Sequence, residues 1–373
     1  MSRKLDVLAL TPDFPPAVGG IQMLMHRVVR HAPGLRARVV TLGSPGHREF
    51  DRAEGLAVTR VRLRSLPRPA AVAALNARGL SRALRRKPDV VLSGHIATSP
   101  AASAIRRLLG VPVVQYLYGH EVGVRPRLAE YAVRHADRVV AISRYSRELA
   151  LAAGAEGGRI ALIPPGVDLG DERLSDRNGD AGRPTVVTVG RLEDRYKGHD
   201  VLIRALPLIR ARVGDVRWVV VGDGSLRGSL ESLVRSTGVS DLVHFAGVVS
   251  DEERDAWLAR SDVFAMPSRL PADGLAGEGF GIVYLEAGVR GLPVVAGAVG
   301  GALDAVVEGR TGLLVDPNDH VALADAISAL LTDRARAEAL GRAGAEHAHR
   351  HAWPRVAERV EGLLRQVAAE GVP

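Results

Sequence analysis

The 373 residues include no cysteine. Disulfides, zinc thiolate centres and a cysteine nucleophile are thereby excluded. Aromatic residues make up only 4% of the chain, and lysine occurs only at positions 4, 87 and 197, so nearly all of the 50 basic residues are arginine. No apolar run reaches the roughly 18 residues that could span a bilayer, and no signal-peptide h-region is apparent. These absences predict a cytoplasmic protein, soluble or peripheral at the inner face of the plasma membrane. A Gly-x-Ser-x-Gly elbow, a Gly-Lys-Ser/Thr phosphate loop and an Asp-x-Asp metal motif are also missing, which removes support from serine-hydrolase and P-loop ATPase readings. Gly222-Asp-Gly224-Ser-Leu-Arg227 matches only the first two glycines of a dinucleotide fingerprint, and the first strand lacks the full pattern. Hydride transfer is set aside.

The charge that is present is unevenly placed. Fifty basic residues against 42 acidic ones give +8, and Arg60, Arg62, Arg64, Arg68, Arg78, Arg82, Arg85, Arg86 and Lys87 crowd one part of the N-terminal half. No nucleic-acid motif or interleaved aromatics accompany them, so nucleic acid is not an expected partner. Acidic lipid headgroups suit such a surface better. A helix predicted over 70–86 carries the last five of these cations with Val72, Leu75, Leu80 and Leu84; it reads either as a segment resting on an anionic membrane or as a solvated helix with its apolar face on the core.

Hydrophobic residues, at 46%, are ample for two buried cores in a chain of this length. Strands are predicted over 5–10, 37–42, 56–62, 90–92, 113–116, 138–142 and 160–163, with helix-period segments between them. That alternation specifies a parallel α/β sheet. Residues 168–184, rich in Gly, Asp and Arg, read as a linker after a first domain over 1–167. A second α/β domain follows over 185–352, with strands at 185–191, 216–221 and 243–246, and Trp353-Pro354 opens a last segment, 353–373. Ligands of open parallel sheets lie beyond the carboxyl ends of the strands, so two Rossmann-like domains facing across a cleft are expected to bind there.

Several motifs fit that expectation. In Glu278-Gly-Phe-Gly-Ile-Val-Tyr-Leu-Glu286 two acids flank a glycine-rich entry into a helix, whose free N–H groups and dipole suit a phosphate. Glu286 would stand more than a turn into the helix, where a carboxylate can accept two ribose hydroxyls; Glu278 would face a second sugar. On these residues alone the pair also reads as a solvated helix acid and a capping acid. Arg191 and Lys197, beside the end of the strand from Thr185, supply two cations for a diphosphate. Gly19-Gly20, after the first strand and Asp13, allow a backbone to approach a diphosphate or sugar closely. His120 and His95 follow strands, and each reads as structural as readily as functional.

The motifs GRL…KG, VVVGDG, EGFGIVYLEAGVRGLPVVAG and GRTGLLVDP resemble glycosyltransferase family 4, retaining enzymes of the GT-B fold, and the resemblance covers nearly the whole chain. LTPDFPPAVGGIQ, YGHEVG and IPPGVD are similar to actinobacterial mannosyltransferases that act on phosphatidylinositol mannosides. The spacer Glu193-Asp194-Arg195-Tyr196 departs from the shorter or more apolar one of close relatives. Membership implies a nucleotide-sugar donor, most simply GDP-mannose, and a hydroxyl acceptor that is lipid-linked or part of a glycan. A UDP-sugar enzyme acting on a small soluble metabolite, or a nucleotide-sugar epimerase, stays open as the alternative. It implies that Arg191 and Lys197 stabilise the leaving diphosphate with amides of Gly279, Phe280, Gly281, Ile282 and Val283. Glu278 and His120 would then meet the transferred sugar, Glu286 the ribose, and Gly222, Gly247 and Val248 the nucleoside; Asp13 and His95 are assigned to the acceptor side. No protein nucleophile, metal or cofactor is expected, and the last helix is expected to cross back to the first domain.

Overall fold

The computed structural model describes residues 3–17, 19–61, 67–170, 183–193, 195–271 and 277–372. The chain forms two compact units, residues 1–166 with 353–373, and residues 167–352. Most of the sequence-predicted linker, together with Arg62, Arg64 and Asp194, lies outside the described residues.

The first unit holds seven strands: β1 (Leu5–Leu10), β2 (Leu35–Leu42), β3 (Ala57–Val61), β4 (Val90–Ser93), β5 (Val113–Leu117), β6 (Arg138–Ala141) and β7 (Ile160–Leu162). They pair in the order β3-β2-β1-β4-β5-β6-β7, every pairing parallel. In the second unit β8 (Thr185–Val189), β9 (Arg217–Val221), β10 (Val243–Gly247), β11 (Val263–Met266), β12 (Val294–Gly297) and β13 (Gly312–Val315) form a parallel sheet in the order β10-β9-β8-β11-β12-β13. In each sheet the strand order therefore reverses once, at β1/β4 and at β8/β11, which is where such sheets bind ligands.

Strands covered on both faces by helices must be apolar throughout. Val7 to Leu10 and Val263 to Met266 meet that condition, with no residue exposed. The indole of Trp218, wholly buried, donates to Thr188 Oγ1 at 3.0 Å, and that hydroxyl donates to the Ala265 carbonyl at 2.5 Å. This chain of bonds satisfies the buried indole N–H and the threonine hydroxyl. The helix Trp353–Glu370 packs Val356, Ala357, Val360, Leu364 and Val367 into the first unit, and its Arg365 and Glu361 bond the backbone of Gly34.

The basic segment is smaller than the sequence suggested. Arg60 is buried and bonded to Asp51 and to the Pro15 carbonyl. In the helix Arg68–Arg85, Ala71, Leu75, Gly79 and Ala83 form the buried stripe at four-residue spacing; at Gly79 a Cβ would approach the Leu10 side chain to 2.8 Å, so a larger residue there would force Leu10 to shift. Arg82 bonds Thr59 at 3.0 Å and Arg86 pairs with Asp6. Arg78, Arg85, Lys87 and the paired Arg86 remain exposed with Leu84, which is 58% accessible. Among the described residues no helix is long and apolar enough to cross a membrane.

Candidate active site

The loops after β8 and β9 are stitched together by backbone. Gly190 N–H donates to the Val221 carbonyl, Leu192 N–H to that of Asp223, and Leu226 N–H to that of Leu192, all within 2.8–2.9 Å. A Cβ on Gly222 would stand 2.1 Å from the Gly190 oxygen. Glycine is therefore required at 222 by the meeting of two loops, with φ at 134°.

Beside this junction the short turn Arg195–Lys197 carries Lys197 inward. Its ammonium donates to Glu278 Oε2 at 3.0 Å, with both side chains at least 85% buried (accessibilities 11% and 15%), and lies 5.4 Å from the Tyr196 ring. The structure thus joins two residues that sequence reasoning had given to different parts of a ligand. Arg191, in contrast, is exposed. Glu278 is held by its backbone, since its carbonyl accepts from Gly301 N–H at 2.9 Å. Gly281, left-handed at φ 85°, caps the helix Ile282–Val289, so the N–H groups of its first turn face the Glu278 loop. Phe280 is buried against His351 at 5.8 Å between ring centroids; only its backbone can serve a ligand.

Glu286 is half-buried on that helix and accepts no hydrogen bond from a described residue. Burial pushes its carboxyl above the usual range, against the opposing charge of Arg254, while Asp255, Asp251 and Asp168 push the same way as burial. Arg254 itself bonds Asp251 at 2.9 Å and Asp255 at 3.1 Å, and Asp255 pairs with Arg290 at 2.6 Å. Sequence reasoning passed over Arg254; the acid-rich first turn Asp251-Glu252-Glu253, capped by Ser250 after Gly247-Val248-Val249, was the available sign. Gly247 takes a positive φ and its carbonyl accepts from Gly222 N–H at 2.8 Å. Val248 is 83% accessible, an apolar face left open.

In the first unit the loop after β1 presents Asp13, whose Oδ1 accepts at 3.4 Å from both Gln22 and Arg68. Gly19 precedes the helix Gly20–His31. His95 Nδ1 accepts from Ala97 N–H at 3.0 Å, which leaves the ring proton on Nε2. Burial holds its pKa below the ordinary value despite Asp13, so neutral His95 offers an Nε2–H donor. Arg68 and Arg125 lie in the same electrostatic neighbourhood; neither had been read as part of a site. His120 is exposed at the first turn of its helix. Its neighbours anchor that turn, because buried Glu121 accepts from Tyr118 N–H at 2.6 Å and Tyr118 donates its hydroxyl proton to the Gly94 carbonyl at 2.7 Å.

Residues 18–171 match the model described as Glycosyltransferase Family 4, and residues 171–347 match the one described as Glycosyl transferases group 1. The chain is 37% identical to the GDP-mannose-dependent alpha-(1-6)-phosphatidylinositol monomannoside mannosyltransferase of Mycobacterium tuberculosis, over 98% of each chain. It is 31% identical to the GDP-mannose-dependent monoacylated alpha-(1-6)-phosphatidylinositol monomannoside mannosyltransferase of Corynebacterium glutamicum, over 98% of this chain and 99% of that one. Among solved structures, Anabaena Alr3699/HepE in complex with UDP and glucose superposes with a TM-score of 0.80 at 21% identity, over 97% of this chain and 100% of the other.

Proposed function

Because the chain belongs to glycosyltransferase family 4, we propose that it transfers mannose from GDP-mannose to a hydroxyl of a phosphatidylinositol mannoside, with retention at the anomeric carbon. The observation that carries this reading is the 37% identity spread over 98% of both chains to a mannosyltransferase of that description. In the second unit Lys197, oriented by Glu278, and Arg191 take up the charge of the departing diphosphate, aided by amides from Gly279 to Val283. Glu286, a carboxylate with unused acceptor sites, takes the ribose hydroxyls. The base lies along Gly247 and the open face of Val248, beside Gly222. In the first unit Gly19 and Gly20 permit close backbone approach, His120 meets a sugar hydroxyl, and Asp13 and His95 orient the acceptor hydroxyl.

The chemistry asks little of the protein as a proton carrier. The bond from the anomeric carbon to the phosphate oxygen breaks, the acceptor oxygen bonds to the same face, and the freed phosphate oxygen takes the acceptor's proton. Two cations already answer the phosphate charge, so no metal is needed. Incubating the protein with radiolabelled GDP-mannose and phosphatidylinositol monomannoside in excess EDTA is expected to yield an α-linked dimannoside lipid. Loss of transfer in EDTA would overturn the metal-free part; absence of transfer with added Mg2+ as well would overturn the substrate assignment.

The donor base has its own test. Calorimetry is expected to show GDP binding at least about tenfold more tightly than UDP, a difference of about 1.4 kcal/mol. Tight UDP and negligible GDP binding would reverse the donor assignment. Lipid access is proposed to run through the exposed cations Arg78, Arg85 and Lys87, each worth about 1 kcal/mol near an anionic bilayer. Co-sedimentation with phosphatidylinositol vesicles should occur at low salt and disappear at high salt, and the Arg78→Glu/Arg85→Glu protein should stay in the supernatant throughout. A wild type that never sediments excludes this surface as a membrane contact.

A further inference from the structure

At the edge of the second sheet where β8, β9 and β10 begin, a cavity of 360 Å³ is lined by Arg183, Arg217, Asp241, His244 and Trp257 with two apolar neighbours. The length of β9 separates it from Gly222, about 15 Å at 3.3 Å per residue, so it is distinct from the diphosphate site. Its polar groups are unbalanced. Arg183 spends its Nη2 on the carbonyls of Val216 and Asp241 and on Asp215, but its Nε–H is buried without an acceptor. The buried indole N–H of Trp257 is likewise without one. Arg217, half-buried, makes no side-chain hydrogen bond or ion pair with a described residue. The single carboxylate in the lining, Asp241, is exposed and lies 3.5 Å from Arg210.

Buried donors almost always find acceptors in folded proteins. Two buried donors without acceptors, on Arg183 and Trp257, and a half-buried Arg217 guanidinium without a side-chain partner among the described residues line one cavity, and together they call for a ligand that carries negative charge and several acceptor oxygens. A stacked base is disfavoured, because Arg260 already covers the Trp257 ring at 3.4 Å and the His244 ring packs 5.6 Å from it. We propose that this cavity binds a phosphate-type oxyanion, gripped by the Arg217 guanidinium, Arg183 Nε–H and Trp257 Nε1–H. The volume falls at the low end of small-molecule pockets, about 300–1,000 Å³, so a phosphomonoester of a small metabolite fits as well as inorganic phosphate.

Trp257 makes the test local. The other two tryptophans, Trp218 and Trp353, are buried in the cores at 0% and 3% accessibility. Titrating the full-length protein with inorganic phosphate and, separately, with glycerol 3-phosphate should change tryptophan emission and release or absorb heat; the tighter of the two identifies the source of the anion. Trp257→Phe keeps the ring and removes one donor, and is expected to weaken the calorimetric affinity about fivefold; Arg217→Ala should weaken it about tenfold or more. Lys197→Ala should leave the affinity unchanged, which separates this cavity from the diphosphate site, and mannosyl transfer by Trp257→Phe should match the wild type. The proposal is overturned if neither anion binds, or if the affinity is unchanged in both Trp257→Phe and Arg217→Ala.

Discussion

Lys197→Ala is expected to slow turnover by about a hundredfold or more, the scale seen when one preorganised donor to a developing negative charge is removed. Two effects act in the same direction. The departing diphosphate loses a cation that burial has already stripped of water, and Glu278, 15% accessible and formerly 3.0 Å from the ammonium, is left as an uncompensated negative charge beside the phosphates. The second effect also reaches the fold, since removing one member of a largely buried pair costs more than the pair contributes. Adding Glu278→Gln to Lys197→Ala should therefore restore much of the lost thermal stability without restoring turnover. Arg191→Ala provides the contrast: exposed, it should reduce turnover about tenfold to a hundredfold and leave the melting temperature where it was. Single-turnover transfer and thermal melts on the four proteins check this. A Lys197→Ala enzyme within a few-fold of wild type would remove Lys197 from the reaction.

No reading of the chain could supply the contact between Lys197 and Glu278. Lys197 and Glu278 are 81 positions apart, and their motifs announce a cation and an acid without saying that one will hold the other. The strands of the first unit were legible because unbroken Val/Leu runs bounded by polar turns specify buried parallel strands. β11, β12 and β13, four residues each, are too short for periodicity; β12 and β13 could be met only inside the family motifs, and β11 went unread. The helix entry after Glu278 was legible from its glycines, one of which, Gly281, takes the left-handed conformation at the cap. Charge was the least legible property. Arg60 and Arg82 look alike in sequence to Arg78 and Arg85, yet Asp51 and Thr59 draw them in from the surface, while Arg86 stays exposed with its charge paired to Asp6. Arg254 was passed over for the same reason, since a side chain's use depends on which acids the fold brings to it.

Glu286→Gln is expected to move stability and binding in opposite directions. Burial raises the carboxyl's pKa in the folded protein, so between the unfolded and folded values the folded state holds more protons than the unfolded one. Stability then falls as pH rises through that window and stays reduced above it, where Glu286 is a charged, half-buried group without a hydrogen-bond donor. The neutral amide removes that cost, and the ligand-free Glu286→Gln protein should melt higher than wild type at pH 7 and no higher at pH 4. For binding the carboxylate is an asset. Its two hydrogen bonds to ribose, charge-assisted and worth about 1.5–3 kcal/mol each when fully formed, make the variant bind free GDP at least about tenfold more weakly. Wild-type affinity for GDP should decline on acidification at a pH above that of an ordinary glutamate, and the variant should lack this decline. Glu278→Gln should behave differently in kind. Loss of the acid frees the Lys197 charge for the diphosphate, so GDP binding should hold or tighten while transfer from GDP-mannose falls, because the sugar loses its carboxylate. Calorimetry with GDP, paired with transfer rates and melts at both pH values, separates the two acids; equal loss of GDP affinity in both variants would mean that Glu278 and Glu286 serve the same part of the donor.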